Sequence, residues 1–246
     1  MNKIFFILAI IIPISAFSQE EPKTKLIDEF SGSIGVTNNG ISFVPAFNLG
    51  APAAIVNLKI AKKRFSFEPV FRFALEGKPW SFLFWFRHQT IKMNRFTLRL
   101  GTQLAINFRT ILANTNGVDR KLMESRRYLV GEIVPSYKIS EKVSVGIYYL
   151  FSRGFDDGLK ATHFVVTNIT FSHISISKNG KYYFNLTPQV YYLSLDSSPG
   201  LFTNALITLA REKFPLSIES IVNKKIKSEF VANDLSWNIS LVYTFN

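Results

Sequence analysis

The final stretch of the chain, Leu235-Ser-Trp-Asn-Ile-Ser-Leu-Val-Tyr-Thr-Phe-Asn246, alternates large apolar with mostly small polar side chains. Successive side chains of a β-strand point to opposite faces of a sheet, so this pattern predicts a strand with one apolar and one polar face. The apolar face carries Trp237, Ile239, Leu241, Tyr243 and Phe245, opposite Ser236, Asn238, Ser240 and Thr244.

The same two-residue period recurs along almost all of residues 19–246. One run alternates Phe65, Phe67, Phe71 and Phe73 with Ser66, Glu68, Arg72 and Ala74. The next run alternates Trp80, Phe82, Phe84 and Phe86 with Ser81, Trp85, Arg87 and Gln89. A third run alternates Leu98, Leu100 and Leu104 with Thr97, Arg99 and Gln103. Runs of about 10 to 14 residues are long enough to cross a membrane as tilted strands. Because lipid cannot satisfy polar groups, we expect the apolar faces to contact lipid and the polar faces to line a lumen.

These patterns predict an all-β fold, a transmembrane antiparallel up-and-down β-barrel. A secreted β-sandwich or a lipocalin-like barrel also alternates, but such soluble folds hide the apolar face inside. A soluble domain would have to bury most of the 24 Phe, 9 Tyr and 3 Trp of this chain, which is difficult at this size.

Tight and longer connections alternate along the chain, and this alternation predicts the topology. Tight turns are expected near residues 62, 93, 141, 179 and 212, and longer ones over 76–79, 109–125, 154–161, 194–199 and 224–233. In membrane barrels tight turns face the periplasm and longer loops face outward. Ten strands result, and the preceding residues must supply an even number more. Either Ile41–Leu49 pairs with Ala53–Ile60, or Phe30–Val36 pairs with a longer kinked strand through the turn-like Thr37–Gly40; both give about 12 strands, within a range of 10 to 14.

The N-terminus has the features of a secretory signal. Lys3 precedes the apolar run Ile4–Ile12, and Ala16-Phe17-Ser18 has the small-x-small spacing that a signal peptidase reads. We expect residues 1–18 to be a signal peptide and residues 19–246 to be the barrel domain. The chain contains no cysteine, so it has neither a lipidation site after the signal nor disulfides.

The end of the last strand resembles a signal found in a known class of proteins. Its ending, Leu241-Val242-Tyr243-Thr244-Phe245-Asn246, is similar to the terminal aromatic signal of Gram-negative outer-membrane β-barrels, although the family signal usually ends on the aromatic residue itself. The resemblance covers the whole mature length. It implies an outer-membrane location and assembly by periplasmic chaperones and the barrel-assembly machinery, but it implies no single activity.

The formal charge of +12 would ordinarily raise the question of nucleic acid. Secretion argues against that partner. The charge instead suits the phosphate-rich headgroups of outer-membrane lipids, or simply solvated turns rich in lysine. Other envelope proteins are a further expected class of partner.

Charged residues on the lumen face are the candidate site. Arg87 and Arg99 are expected on neighbouring strands at a similar height, with Glu68 one strand further and Arg72 as an addition. A ring of such charges can constrict a pore and bias it towards anions. A paired network that only satisfies charges in a filled interior is the alternative. Glu132 and Glu219 are expected to point inward on distant strands.

Catalysis and metal binding find little support. The pair His173 and Ser175 resembles the His-x-Ser arrangement of outer-membrane lipid hydrolases, with Asn185 on the next strand. The period assigns His173 to the outer face and Asn185 to the lumen, so we expect no catalytic site. His88 and His163 have no second ligand at metal-binding spacing, and no cofactor is expected.

Three functions therefore remain open. The barrel is a passive channel for small, anionic-leaning solutes, a non-conducting structural or accessory subunit of an outer-membrane complex, or, least favoured, a lipid-modifying enzyme. The segment Arg109–Arg127 is expected to be the longest external loop, with room to fold inward or recruit a partner.

Overall fold

The computed structural model describes residues 25–115, 118–178 and 180–246, so the expected signal peptide, residues 1–18, lies outside the described residues. The strands are β1 Glu29–Thr37, β2 Ala53–Lys62, β3 Phe65–Ala74, β4 Pro79–Lys92, β5 Phe96–Thr115, β6 Val118–Lys138, β7 Val143–Gly154, β8 Ala161–Ser175, β9 Tyr182–Leu195, β10 Ser198–Arg211, β11 Leu216–Ser228 and β12, which has two pieces, Leu235–Trp237 and Ser240–Phe245. A single-turn 3-10 helix spans Pro45–Phe47. Within this described part of the chain, no helix is long and apolar enough to cross a membrane.

The twelve strands form one closed antiparallel barrel. Each strand pairs with its neighbours in the chain, and β1 pairs with β12, where Gly32 lies opposite Phe245 and Thr37 opposite Ser240. Both pieces of β12 pair with β11. The predicted fold and the strand count are confirmed. Neither arrangement considered for the first strands is correct as a whole. The strands at Phe30–Val36 and Ala53–Ile60 are both present and pair with each other, whereas Ile41–Leu49 is not a strand and no strand runs through Thr37–Gly40 into it.

The two faces of the wall differ as the alternation predicts. Leu104, Leu129 and Ile147 are among many large apolar side chains that remain exposed on the outside of the barrel. On the inside, polar side chains are buried, among them Gln103 and Glu132. An apolar outer surface around a closed sheet is the surface that a bilayer requires.

One position in β4 departs from the alternation. Arg72 pairs with Ser81 and Phe73 pairs with Pro79, so Trp80 is an extra residue that forms a β-bulge. The expectation that Trp80 faces outward is wrong: its side chain is 3% exposed, and its indole nitrogen donates a hydrogen bond to the carbonyl of Phe47 at 2.8 Å.

The longest hairpin is formed by β5 and β6. Their pairing continues as far as Thr115 opposite Val118, although β4 pairs with β5 only to Asn107 and β7 pairs with β6 only to Tyr128. The prediction of a loop over Arg109–Arg127 is therefore wrong, because most of this segment is a two-stranded ribbon that extends past the neighbouring strands.

Candidate functional site in the barrel lumen

Residues 38–52, which join β1 to β2, form a compact loop that we call the inner loop. Gly40 donates its backbone N–H to Ala51 at 2.8 Å, and Ser42 donates to the side-chain oxygen of Asn48 at 2.6 Å. These bonds draw the two ends of the loop together and satisfy backbone groups that no strand partner satisfies.

The inner loop crosses the lumen. Phe43 stacks on Phe164 of β8 with ring centroids 6.0 Å apart, and Phe47 meets Tyr128 of β6 edge-on at 5.2 Å. In the barrel, β1 and β2 border β12 and β3, so β6 and β8 belong to the opposite part of the wall. The loop therefore narrows the barrel from within.

Aromatic side chains fill the lumen beside the inner loop. Phe164 meets Tyr191 edge-on at 5.1 Å, and Tyr191 stacks on Phe202 at 5.0 Å. Phe230, from the connection between β11 and β12, stacks on Phe202 at 5.8 Å. We call these four residues the aromatic plug. The expectation of a polar lumen face in every strand is thus incomplete, because this part of the interior is packed like a soluble core.

Further along the lumen, four charged residues form what we call the lumen ion cluster. Arg87 donates its Nε–H to Glu132 at 2.8 Å and also pairs with Glu68. Arg99 donates its Nε–H to Glu132 at 3.1 Å. The side chain of Glu132 is fully buried. The structure therefore brings together the predicted residues Glu68, Arg87 and Arg99, and it adds Glu132, which was wrongly expected on a distant strand.

The lumen ion cluster is electrically balanced. It contains two carboxylates and two guanidinium groups, and each guanidinium contacts at least one carboxylate. The Arg87 guanidinium also lies 4.2 Å from the ring centre of Trp85, which adds a cation–π contact. Burial of these charges is tolerated because they are paired.

Arg72 lies apart from this cluster. Its guanidinium lies over the ring of Trp80 at 5.1 Å, and its strand partner in β4 is Ser81. Among the described residues, no carboxylate lies within ion-pairing distance of Arg72, and its Nε is buried without a hydrogen-bond partner. The grouping of Arg72 with Glu68, Arg87 and Arg99 is therefore wrong in geometry.

A cavity of about 650 Å³ occupies the lumen. Its wall includes Arg72, both arginines of the lumen ion cluster and Glu219. Amide side chains contribute as well, among them Gln103, Asn107, Asn168 and Gln189, and the inner loop contributes Ile41 and Phe43. Charged and amide groups together make a wall that can bind water and polar solutes.

His173, the histidine of the His-x-Ser pair, lies near the end of β8. A bulge follows Phe171, and the backbone N–H of His173 donates to the side-chain oxygen of Asn185 at 2.7 Å. The His173 ring stacks on Tyr183 at 4.1 Å, and Tyr183 shares a strand face with Asn185, so the assignment of His173 and Asn185 to opposite faces is wrong. The Nε2 atom of His173 lies 3.4 Å from Glu212.

Ser175 donates its hydroxyl to the carbonyl of Ser177 at 3.0 Å. This bond occupies the proton that a base would need to remove from a nucleophile. Over the described ranges, no group of three His, Asp or Glu side chains is arranged to hold a metal ion.

The residues of the C-terminal signal lie on the outer face of β12. Trp237, Leu241 and Tyr243 are about half exposed, as is Ile239 between the two pieces of the strand. Phe245 is partly covered, with its ring centroid 6.2 Å from that of Phe30. The row of apolar side chains on the outer face of β12 is thus present, and its role in barrel assembly stays a prediction.

No protein-family model matches the sequence, and no curated protein matches it. Solved structures do. The KdgM porin in complex with disordered oligogalacturonate superposes with a TM-score of 0.53 and 8% identity, over 88% of this chain and 99% of that chain. An outer membrane channel from Pseudomonas putida F1 gives a TM-score of 0.50 and 11% identity, over 92% and 100%. The shared feature is the fold: a barrel of the Gram-negative outer-membrane type.

Proposed function

We propose that this outer-membrane barrel is a channel for small solutes, narrowed by the inner loop. The observation that carries the proposal is the cavity of about 650 Å³, with charged and amide groups in its wall. A polar interior holds water, and a water-filled interior conducts ions and small solutes. The fold shared with a porin and with an outer-membrane channel supports the same function.

We expect little preference of this channel for anions over cations. The lumen ion cluster contributes no net charge, because Glu68 and Glu132 offset Arg87 and Arg99. Arg72 adds a positive charge to the cavity wall, and Glu219 adds a negative one. Rings of charge select ions only when the charge is uncompensated, so a strong selectivity is not expected.

Single-channel conductance of the refolded protein in planar bilayers tests the proposal. We expect small unitary currents from the native chain and larger ones when residues 42–48 of the inner loop are replaced by two glycines. The matched control shortens the β5–β6 ribbon beyond Ile111 and Leu122, which lies outside the barrel wall, and should leave the current unchanged. Silence of both the native chain and the loop variant would contradict a channel.

A second candidate is a non-conducting accessory subunit of an envelope complex. The aromatic plug favours it, because Tyr191 and Phe202 are 1% exposed or less and pack as densely as a soluble core. Under this function the native chain is silent in bilayers, even at high voltage, and it co-purifies from outer membranes with a stoichiometric partner. The same conductance measurement separates the two candidates.

A further inference from the structure

We propose that Arg72, Ser81 and Trp80 form a binding site for the carboxylate group of a small solute inside the barrel. This inference deepens the proposed function and rests on it in one respect, namely that small solutes reach the lumen. The site is distinct from the lumen ion cluster. The two differ in whether a carboxylate of the chain neutralises the charge of the arginine.

The first argument is that the charge of Arg72 has no carboxylate to neutralise it. Arg87 and Arg99 both contact buried Glu132, whereas Arg72 contacts no carboxylate in the described part of the chain. A guanidinium held in a protein interior is costly unless an anion or several acceptors accompany it. An anionic solute would supply the acceptor that the chain itself does not place there.

The orientation of Arg72 is the second argument. Its guanidinium carbon lies over the Trp80 ring, 5.1 Å from the ring centre, in a cation–π contact. The N–H groups of a guanidinium lie in its plane, where they match the two oxygens of a carboxylate. Trp80 reaches this position only because of the bulge that turns it inward.

Ser81 supplies a second donor. It lies directly opposite Arg72 in the β3–β4 pair, which places the two side chains about 5 Å apart at their Cβ atoms. The Ser81 side chain is 1% exposed, and its hydroxyl has no hydrogen-bond partner. A buried hydroxyl without a partner costs free energy, and a carboxylate oxygen would relieve that cost.

The surroundings favour a monoanion over a phosphate. Arg72 is the unpaired cation of the cavity wall, and Glu219 contributes a negative charge to the same wall. One guanidinium and one hydroxyl match the single charge and planar shape of a carboxylate. A phosphate, with up to two charges and three oxygens, would ordinarily require more cations.

The chain offers a direct reporter of the site. It has three tryptophans, so uniformly 15N-tryptophan-labelled protein in detergent micelles gives three indole N–H resonances, assigned by replacing each tryptophan with phenylalanine. Acetate is titrated against chloride at constant ionic strength. We expect the Trp80 resonance to shift and saturate, while that of Trp237, which faces outward, stays fixed.

Variants identify the groups responsible. Arg72→Gln should weaken acetate binding by at least about tenfold, and Ser81→Ala by about threefold. The matched control is Arg211→Gln, which removes another arginine stacked on an aromatic ring, 5.7 Å from Tyr182, and should leave binding unchanged. If Arg72→Gln does not fold, the acetate affinity of Ser81→Ala decides whether the site exists.

The outcomes are separable from those of the proposed function, because the titration needs no ion flux. A Trp80 resonance that acetate does not shift overturns the site even if the barrel conducts. Tighter binding of inorganic phosphate than of acetate overturns the carboxylate assignment, and an equal loss in Arg211→Gln overturns the role of Arg72. Saturable acetate binding in a barrel that does not conduct would support the site and contradict the channel.

Discussion

Gly101 and Glu132 face each other across the β5–β6 pair, and a Cβ atom at position 101 would lie 2.8 Å from the Oε1 atom of Glu132. That separation is too short for any real contact. The missing side chain of Gly101 therefore makes room for the carboxylate that both arginines of the lumen ion cluster contact.

Replacing Gly101 with alanine should displace this carboxylate. We expect a loss of about 1 to 3 kcal/mol in the free energy of unfolding, as for other insertions into packed interiors. Urea unfolding in detergent micelles measures it. Gly131→Ala is the matched control, since a Cβ atom there meets nothing within 4 Å. Equal effects at both positions would contradict this role of Gly101.

Removing the charge of Glu132 should be more damaging than removing that of Glu68. Glu132→Gln leaves two guanidinium groups without their shared partner, and breaking a buried pair in this way costs about 3 to 5 kcal/mol. Replacing all four residues of the lumen ion cluster with methionine leaves no charge unpaired and should recover most of the loss. Urea unfolding gives the free energies, and a fourfold variant less stable than Glu132→Gln would refute the explanation.

Glu132→Gln should also change ion selectivity if the barrel is a channel. The lumen ion cluster then carries a net positive charge, so the reversal potential in a salt gradient should move towards anions. Arg87→Glu together with Arg99→Glu should move it towards cations. The native chain should lie between the two variants, and an identical reversal potential in all three would show that solutes avoid the cluster.

Fixing the inner loop to the wall should lower conductance. The native chain has no cysteine, so Phe47→Cys with Tyr128→Cys introduces one defined pair at positions whose rings are 5.2 Å apart. A short bifunctional thiol reagent should close the channel, and a cleavable version should restore the current after reduction. Each single-cysteine variant is the control. Unchanged current after complete cross-linking would mean that the loop is already static.

The connection between β7 and β8 should keep its folded conformation in mild acid. The side chain and backbone N–H of Arg127 donate to Asp156 and hold its pKa at about 2, below the ordinary 3.8. A depressed pKa means that the contact stabilises the loop above about pH 4 and is lost as the pH falls through about 2. Pepsin cleavage at residues 155–160 should therefore stay slow at pH 4 and accelerate near pH 2.

Asp156→Asn should be cleaved already at pH 4. Asp157→Asn is the matched control, because the Asp157 side chain is fully exposed and its nearest cation, Lys160, is 3.7 Å away. Equal cleavage of the two variants at pH 4 would contradict the contribution of Asp156.

The two-residue period predicts much of this molecule because it reports which side chains can face lipid. It places the strands, and it brings Glu68, Arg87 and Arg99 together inside. It cannot show where the interior is filled: Phe164, Tyr191 and Phe202 are apolar on the lumen face because the inner loop and the β11–β12 connection pack against them. Nor does it reveal a bulge, since one extra residue at Trp80 reverses its face without changing composition.

The position of Glu132 beside the two arginines could in principle be predicted from the sequence. Reading residues 109–127 as a continuous hairpin would have set the register that places Glu132 opposite Gly101. Polar residues such as Asn114 and Asp119 are typical of turns and loops, so composition favoured a loop there. Hydrogen bonding between the two strands outweighed that preference.

The inner loop begins at the junction of the first and last strands, where Asn38 and Asn39 bond to Ile239 and Trp237. The opposite wall that receives Phe43 and Phe47 is made by strands from the middle of the chain. Because the loop is anchored at this junction, we expect it to reach its final position only when the first and last strands pair. A barrel that is still open between these two strands should have an unblocked lumen.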